Sequence, residues 1–291
     1  RRLMMKAIYK KEVKSYLTSM IGYVFIFFIL LLEGIYFTAY NLQNAYPLFG
    51  TTLSAVTFIF LILVPVLTMK TIAEERKQKT DQLLLTAPVS VSEIVLGKFL
   101  AVATVYAIPV LIICLYPMIM GKYGTVSYAM AYTAVLGFAL LGFAQIAVGV
   151  FWSSVTENPV IAAVVTFIVL FVCYMITGIG SLIPDSSMAS LACYMLLVLL
   201  AAVWIYHMIR NLWIAAVIGI AGEAALAITY VVKSTLFEGS IQKFLSVFDI
   251  TSHFDNFTNG ILDLQGVVYF LSVIIIFLVL TVQTITKRRW N

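Results

Sequence analysis

The chain of 291 residues is 63% hydrophobic and only 11% charged, with a net charge of +5. Soluble domains are about one quarter charged, so this composition excludes a water-soluble fold: too few polar side chains exist to cover its surface. The excess positive charge does not point to nucleic acid, because Lys and Arg sit in short stretches beside apolar runs rather than on one basic face.

Residues 3–17 read as a basic amphipathic helix, with Tyr9, Val13, Tyr16 and Leu17 on one face and Lys6, Lys10 and Lys14 on a neighbouring one. Such a helix suits the inner headgroup layer, its lysines reaching for water; the alternative is a charged lead-in to the first span. A bilayer core takes about 20 apolar residues as a helix. Runs of that length occur at 20–40, 49–69, 97–120, 128–152, 160–182, 189–207, 212–233 and 267–286. The first is too long for a signal-peptide core. Alternation of period two is absent, which excludes a β-barrel and leaves helices, the other structure that satisfies its backbone inside lipid. The expectation is a single all-α integral membrane domain, a polytopic bundle of about eight spans. The runs at 189–207 and 212–233, joined by the short turn His207–Asn211, are the weakest, and a re-entrant pair there would leave six.

With a cytoplasmic N-terminus and every run spanning, only Lys122, Lys233 and Lys243 of the 18 Lys and Arg residues fall outside. Cations concentrate on the cytoplasmic side of membrane proteins, so both termini are expected there. Cys114, Cys173 and Cys193 lie within apolar runs and read as free small hydrophobes, neither a disulfide framework nor a metal site.

The longest cytoplasmic connection is 70–98. Its first half, Thr71 to Leu85, is expected to prolong the second span as helix until Pro88 breaks it. Ser90-Val-Ser-Glu93 then has the form of a capping box, with Val89 and Ile94 placed for a hydrophobic staple. An ordered helix–turn–helix of this kind suits docking of a partner. On the other side, 234–266 repeats Ile241, Phe244, Leu245 and Phe248 at helical spacing, followed by Phe254, Phe257 and Ile261. That pattern predicts amphipathic extracytoplasmic helices on the interface or capping the bundle.

Two carboxylates fall inside spans, Glu33 and Glu223, and no Lys or Arg lies at similar depth. Charge at that depth is costly and often functional. A protonated acid, a shared proton or contact with a polar substrate or partner would each accommodate them; otherwise Glu33 snorkels to the outer boundary and Glu223 sits in a hydrogen-bonded interface. Ala215, Gly219 and Gly222 offer small residues for close helix packing around Glu223.

Catalytic chemistry is sparse. A phosphate-binding loop needs a glycine, four intervening residues, then Gly-Lys-Ser/Thr; neither Gly97-Lys98 nor Gly121-Lys122 complies. Metal hydrolysis would need clustered His and carboxylates, yet His207 and His253 fall on opposite sides and Glu74-Glu75 faces the cytosol.

One segment carries a resemblance. Glu74-Glu75-Arg76, then Lys79-Thr80-Asp81-Gln82-Leu83-Leu84-Leu85-Thr86-Ala87-Pro88, then Glu93-Ile94-Val95-Leu96-Gly97-Lys98 resembles type 2 ABC exporter permeases. These show an acidic–basic cluster, Gly-Thr-x-Glu-x-Leu-Leu, a Thr/Ser-x-Pro turn and Glu-x-x-x-Gly-Lys. Lys79 stands where that family has Gly, and Asp81-Gln82 replaces its x-Glu pair. Ser153 to Pro159, with Thr156, Glu157 and Asn158, is similar to the second cytoplasmic turn of the gliding-motility subtype, and Ser252 to Leu264, ahead of the last span, resembles the same subtype.

The resemblance implies one half of a transmembrane dimer, identical or mixed, with separate ABC ATPase subunits docked on the cytoplasmic side. Its plan has six spans, so 189–233 would be an inserted hairpin. Residues 1–19 would be the elbow helix, and Glu74, Glu75, Arg76, Thr80, Asp81, Leu83, Leu84, Pro88 and Glu93 would serve the ATPase contact. ATP and Mg would reside on the ATPase, with no cofactor on this chain. Lipid and an extracytoplasmic accessory protein are further expected partners, and the bacterial cytoplasmic membrane is the expected location. A mechanotransmitter of the same architecture that moves no substrate, and an intramembrane hydrolase, are the alternative readings.

Overall fold

The computed structural model describes residues 2–81 and 89–289, whose regular structure is helical, without strands. The chain divides into two compact units, Arg1–Phe171 with Ile250–Asn291, and Val172–Asp249. Among the described residues, seven helices are long and apolar enough to cross a membrane, or eight if the pair Ala216–Val232 and Ser234–Ser246, bent by 116°, counts as one span.

In the first unit, α1 (Arg2–Thr18) turns into α2 (Met20–Tyr36) at Ser19. Gly22 is required there, since a Cβ would lie 2.3 Å from the Tyr16 carbonyl oxygen. α2 continues as a π-helical stretch, Phe37–Gln43, so the first span outruns its apolar pattern. The second span is built from α3 (Phe49–Val56), a 3-10 turn and α4 (Phe60–Thr68), and leads into the short α5 (Ala73–Lys77). The third is α6 (Val91–Ile113) with α7 (Tyr116–Met120). α8 (Tyr128–Val155) is the hub, packed by α3, α4, α6 and the last helix.

Small residues bring these helices close. A Cβ at Gly142 would sit 2.2 Å from the Tyr106 ring, and one at Gly149 2.2 Å from Thr68 Oγ1. The core around α8 is aromatic: Tyr106, Phe60, Phe138, Phe254 and Phe257 are all fully buried. Phe254 and Phe257 belong to the predicted amphipathic stretch after residue 234, and they plug this unit rather than resting on lipid. Of the expected interface residues there, Phe244 and Phe248 remain exposed.

α9 (Pro159–Ser181) contains the boundary between the units. The second unit holds the hairpin of α10 (Ser187–Ile209) and α11 (Leu212–Val232), then α12 (Ser240–Ser246). Asp249 is buried against the Thr177 hydroxyl, which donates to it, and the Gln242 amide donates to the Ile183 carbonyl at 2.9 Å. In α10 and α11, Gly219 abuts Ala202 and Gly222 abuts Val198, so the expected small-residue strip packs the hairpin on itself. Returning to the first unit, α13 (Asp255–Thr258) precedes the long α14 (Leu264–Arg289). The three cysteines are free.

Two expectations need correction. Glu33 is 0% exposed and does not snorkel, because its side chain turns inward from α2. The helix after the second span stops at Lys77 rather than running to Leu85.

Candidate functional site

The early stop has a local cause. Lys79 adopts φ +57°, the left-handed region. The Thr80 amide donates to the Glu75 carbonyl at 2.9 Å and the Lys79 amide to the Arg76 carbonyl at 3.0 Å. These two bonds with a left-handed residue between them form a Schellman cap, which ends helices and favours glycine at that position. The Gly of the resembling family, replaced here by Lys79, is thereby explained in backbone terms.

The other end of α5 is held by Ser153 at the end of α8. Its hydroxyl accepts from the Ile72 and Ala73 amides, both at 3.1 Å, and lies 3.1 Å from the Met69 carbonyl to which it donates. Helix-start amides lack intrahelical partners, and Ser153 supplies one from a distant part of the chain. α6 caps itself as the sequence pattern predicts: the Glu93 amide donates to Ser90 Oγ at 3.3 Å, and the Ser90 amide to Glu93 Oε2 at 3.1 Å. One turn later Gly97 lets α1 lie against α6, with Ile8 Cγ2 3.2 Å from where a Cβ would be.

That close approach positions Lys98, which is 2% exposed on its side chain. Its ammonium lies 3.0 Å from Glu12 Oε1, 2.9 Å from Glu75 Oε2 and 2.8 Å from the Thr71 carbonyl oxygen. Three N–H donors thus meet three oxygens, the full capacity of the group. Lys11 approaches Glu75 Oε1 at 3.2 Å and Glu12 at 3.7 Å. Burial would lower the Lys11 pKa, but the two carboxylates outweigh it and hold it above its ordinary value. The Tyr16 hydroxyl donates to the Leu67 carbonyl at 3.2 Å and sits 3.0 Å from Thr71 Oγ1. Burial pushes its pKa well up, so it remains a neutral phenol.

Arg76, also buried, donates to the Ser154 carbonyl and lies 3.4 Å from Glu157 Oε1. Arg288 of α14 reaches the same Glu157 oxygen at 3.4 Å. α1, α5, α6, α8 and α14 are therefore tied together at one end of the first unit. Lys77, Gln78, Lys79 and Thr80 are exposed on the far side of the turn, and Glu74 pairs with Lys70 at 3.7 Å. Asp81 borders a small cleft with Ile94, Ile285 and Arg288. Asn158 accepts from the Val160 amide at 3.0 Å, capping α9, and the Thr156 hydroxyl faces the Asn158 carbonyl at 3.4 Å.

The structure thus gathers Glu75, Arg76 and Glu157, and sorts the predicted acidic–basic cluster into inward and outward members. Leu83, Leu84 and Pro88 lie outside the described residues. Glu33 and Glu223 are remote from this cluster along the chain, and neither finds a hydrogen-bond partner among the described residues. Glu12, Tyr16, Ser153 and Arg288 were not singled out from sequence as members of a site. Glu12 carried a signal: it is the sole acid in α1 and falls one helical turn before Tyr16, on the aromatic face.

A sequence model described as ABC-2 family transporter protein matches residues 6–288. The chain belongs to the ABC-2 family. No curated protein matches it. ABC-2 members are multi-pass membrane permeases without a nucleotide-binding domain of their own, and membership implies an ABC ATPase subunit as partner. The match covers both units, the hairpin included.

Proposed function

We propose that this chain is the permease subunit of an exporter-type ABC transporter, closest to the gliding-motility permeases, in a bacterial cytoplasmic membrane. A separate ATPase, carrying ATP and Mg, docks on the turn 77–81 at the cytoplasmic end. A second permease, identical or different, completes the pathway. One observation carries the reading. The turn bearing the family resemblance offers Lys77, Gln78, Lys79 and Thr80 to solvent, while its inner side is bonded to α1, α6 and α8. A partner that pushes on such a turn moves several spans together, because packed interiors transmit displacement rather than absorbing it.

The test is reconstitution with the ATPase that copurifies from native membrane. The complex hydrolyses ATP and the chain alone does not. Thr80→Trp and Gln78→Trp, both at exposed positions, weaken ATPase capture about tenfold or more, as loss of one central contact does at an interface, with the thermal unfolding of the chain unchanged. Hydrolysis or substrate flux by the lone chain would overturn the proposal, and so would full capture by both variants.

A further inference from the structure

The first unit encloses an acid that the coupling reading does not use. A buried stripe runs along the first span at four-residue steps: Phe25, Ile29 and Glu33 on α2, then Phe37 and Asn41 on the π-helical stretch. Glu33 is fully buried, and neither carboxyl oxygen finds a hydrogen-bond partner among the described residues. It acts electrostatically on the Tyr106 and Tyr116 hydroxyls of α6 and α7. Tyr106 donates elsewhere, to the Phe138 carbonyl at 2.7 Å. Tyr36, the nearest titratable residue on α2 itself, stacks on Tyr40. α3 and α4 also pack on α2 and contain no titratable residue, and α1 meets α2 at its opposite end, near Gly22. An ionised carboxylate without a partner is not sustained in such surroundings, so Glu33 carries its proton.

Beyond Glu33 along the stripe stands an aromatic cluster, and beyond that a polar cavity. The Phe37 ring lies 4.6 Å from the Tyr116 ring and 6.1 Å from Phe49, which lies 6.3 Å from Tyr116. These rings come from the first, second and third spans, so they part only when the spans part. One step further, Asn41 accepts from the Thr52 hydroxyl at 2.6 Å and borders a cavity of about 370 Å³. Tyr46, Tyr123 and Thr125 also line it, and both tyrosines are exposed. π-helical turns are rare and concentrate at functional sites; this one begins at Phe37 itself.

We propose that Glu33 is a proton-binding site gated by the Phe37–Phe49–Tyr116 cluster, exchanging its proton with water in the cavity beside Asn41 when that cluster opens. Closure requires the carboxyl to hold a proton. Opening hydrates it, and the proton passes to water, leaving the carboxylate. The closed packing thus binds one proton more than the open one, so acid favours closure and rising pH favours opening. Separation of the spans is thereby linked to pH at the end of the first span remote from α1.

The test is read on the full chain alone in phosphatidylcholine nanodiscs, so its outcome is independent of ATPase docking. Infrared difference spectra against Glu33→Gln, similar in shape but unable to ionise, isolate the carbonyl stretch of one neutral carboxylic acid. At about pH 6 the chain shows that band, and the band persists through a jump to about pH 9, well above the ordinary carboxyl range. It persists because a packed interior exchanges only through local opening. Phe37→Ala and Phe49→Leu thin the cluster from two different spans. Each loses the band during mixing and regains it on acidification. Phe49→Leu, the milder change, keeps the test readable if circular dichroism shows that Phe37→Ala disturbs folding. The proposal is overturned if the chain shows no such band at the lower pH. It is overturned equally if the band vanishes as fast with all three rings intact, or if it survives the jump in the folded gate variants.

Discussion

Lys98 exchanges water for three oxygens, and the exchange is favourable only while all three remain. Replacing it with Met, similar in length and apolar, removes the buried cation and leaves Glu12 and Glu75 with the largely exposed Lys11. Removing one partner of a buried ion pair typically costs about 3–5 kcal/mol, so Lys98→Met is expected to lower the thermal midpoint of the detergent-solubilised chain sharply. Glu157→Gln serves as the contrast. Glu157 is 71% exposed on its side chain, and exposed pairs contribute about 0–1 kcal/mol, so its midpoint should stay near wild type. At Lys79 the expected sign reverses. A left-handed non-glycine residue carries a penalty of about 1–2 kcal/mol, and Lys79→Gly should raise the midpoint, whereas a β-branched Lys79→Val should lower it. Thermal unfolding followed by circular dichroism distinguishes all four variants. Local chemistry of this type was only partly legible in the sequence. The capping box could be read because Ser90 and Glu93 are three residues apart. The Glu12–Lys98 pair could not, since it joins residues 86 apart and depends on how α1 lies across α6.

At the scale of the helix, spacing of apolar residues located the seven helices that, among the described residues, are long and apolar enough to cross a membrane, because lipid admits few other structures. What spacing could not supply was which faces meet. α8 and α9 have similar apolar sequences, yet α8 is the buried hub and much of α9 is exposed. Glycines mark the difference. Gly142 faces the Tyr106 ring, itself fully buried and anchored by its hydroxyl donating to the Phe138 carbonyl at 2.7 Å. The ring has no room to retreat, so Gly142→Ala should push α8 away from α6 at a cost of about 1–3 kcal/mol. Gly178 in α9 has no neighbour within 4 Å of its would-be Cβ, and Gly178→Ala should be neutral or stabilise by up to about 1 kcal/mol through helix propensity. Urea titration of the two variants should separate them. Equal losses would show that the α8–α6 contact is not tight.

For the molecule as a whole, the cation pattern and the ion-paired cluster support one another. α1, α5 with the turn after it, and the end of α14 carry 11 of the 18 Lys and Arg residues, and they meet at one end of the first unit. That arrangement needs an even number of crossings between Met20 and the end of α14, which eight spans and six spans both satisfy. The hairpin decides between them. If α10 and α11 each cross, the turn at Arg210 and Asn211 emerges on the same side as Thr80, while Ser240 emerges on the other. If the pair is re-entrant, the turn stays within the membrane. α10 has 23 residues and α11 has 21, about 30 Å or more each at 1.5 Å per residue, which matches the hydrocarbon thickness. Full crossing is therefore the expected outcome. With Cys114, Cys173 and Cys193 replaced by Ala, single cysteines at Thr80, Asn211 and Ser240 can be challenged with an impermeant maleimide on intact cells and again after permeabilisation. Ser240→Cys should react at once, and Thr80→Cys and Asn211→Cys only after permeabilisation. Labelling of Asn211→Cys in intact cells, or its protection throughout while Thr80→Cys reacts, would reject the double crossing and return the chain to six spans.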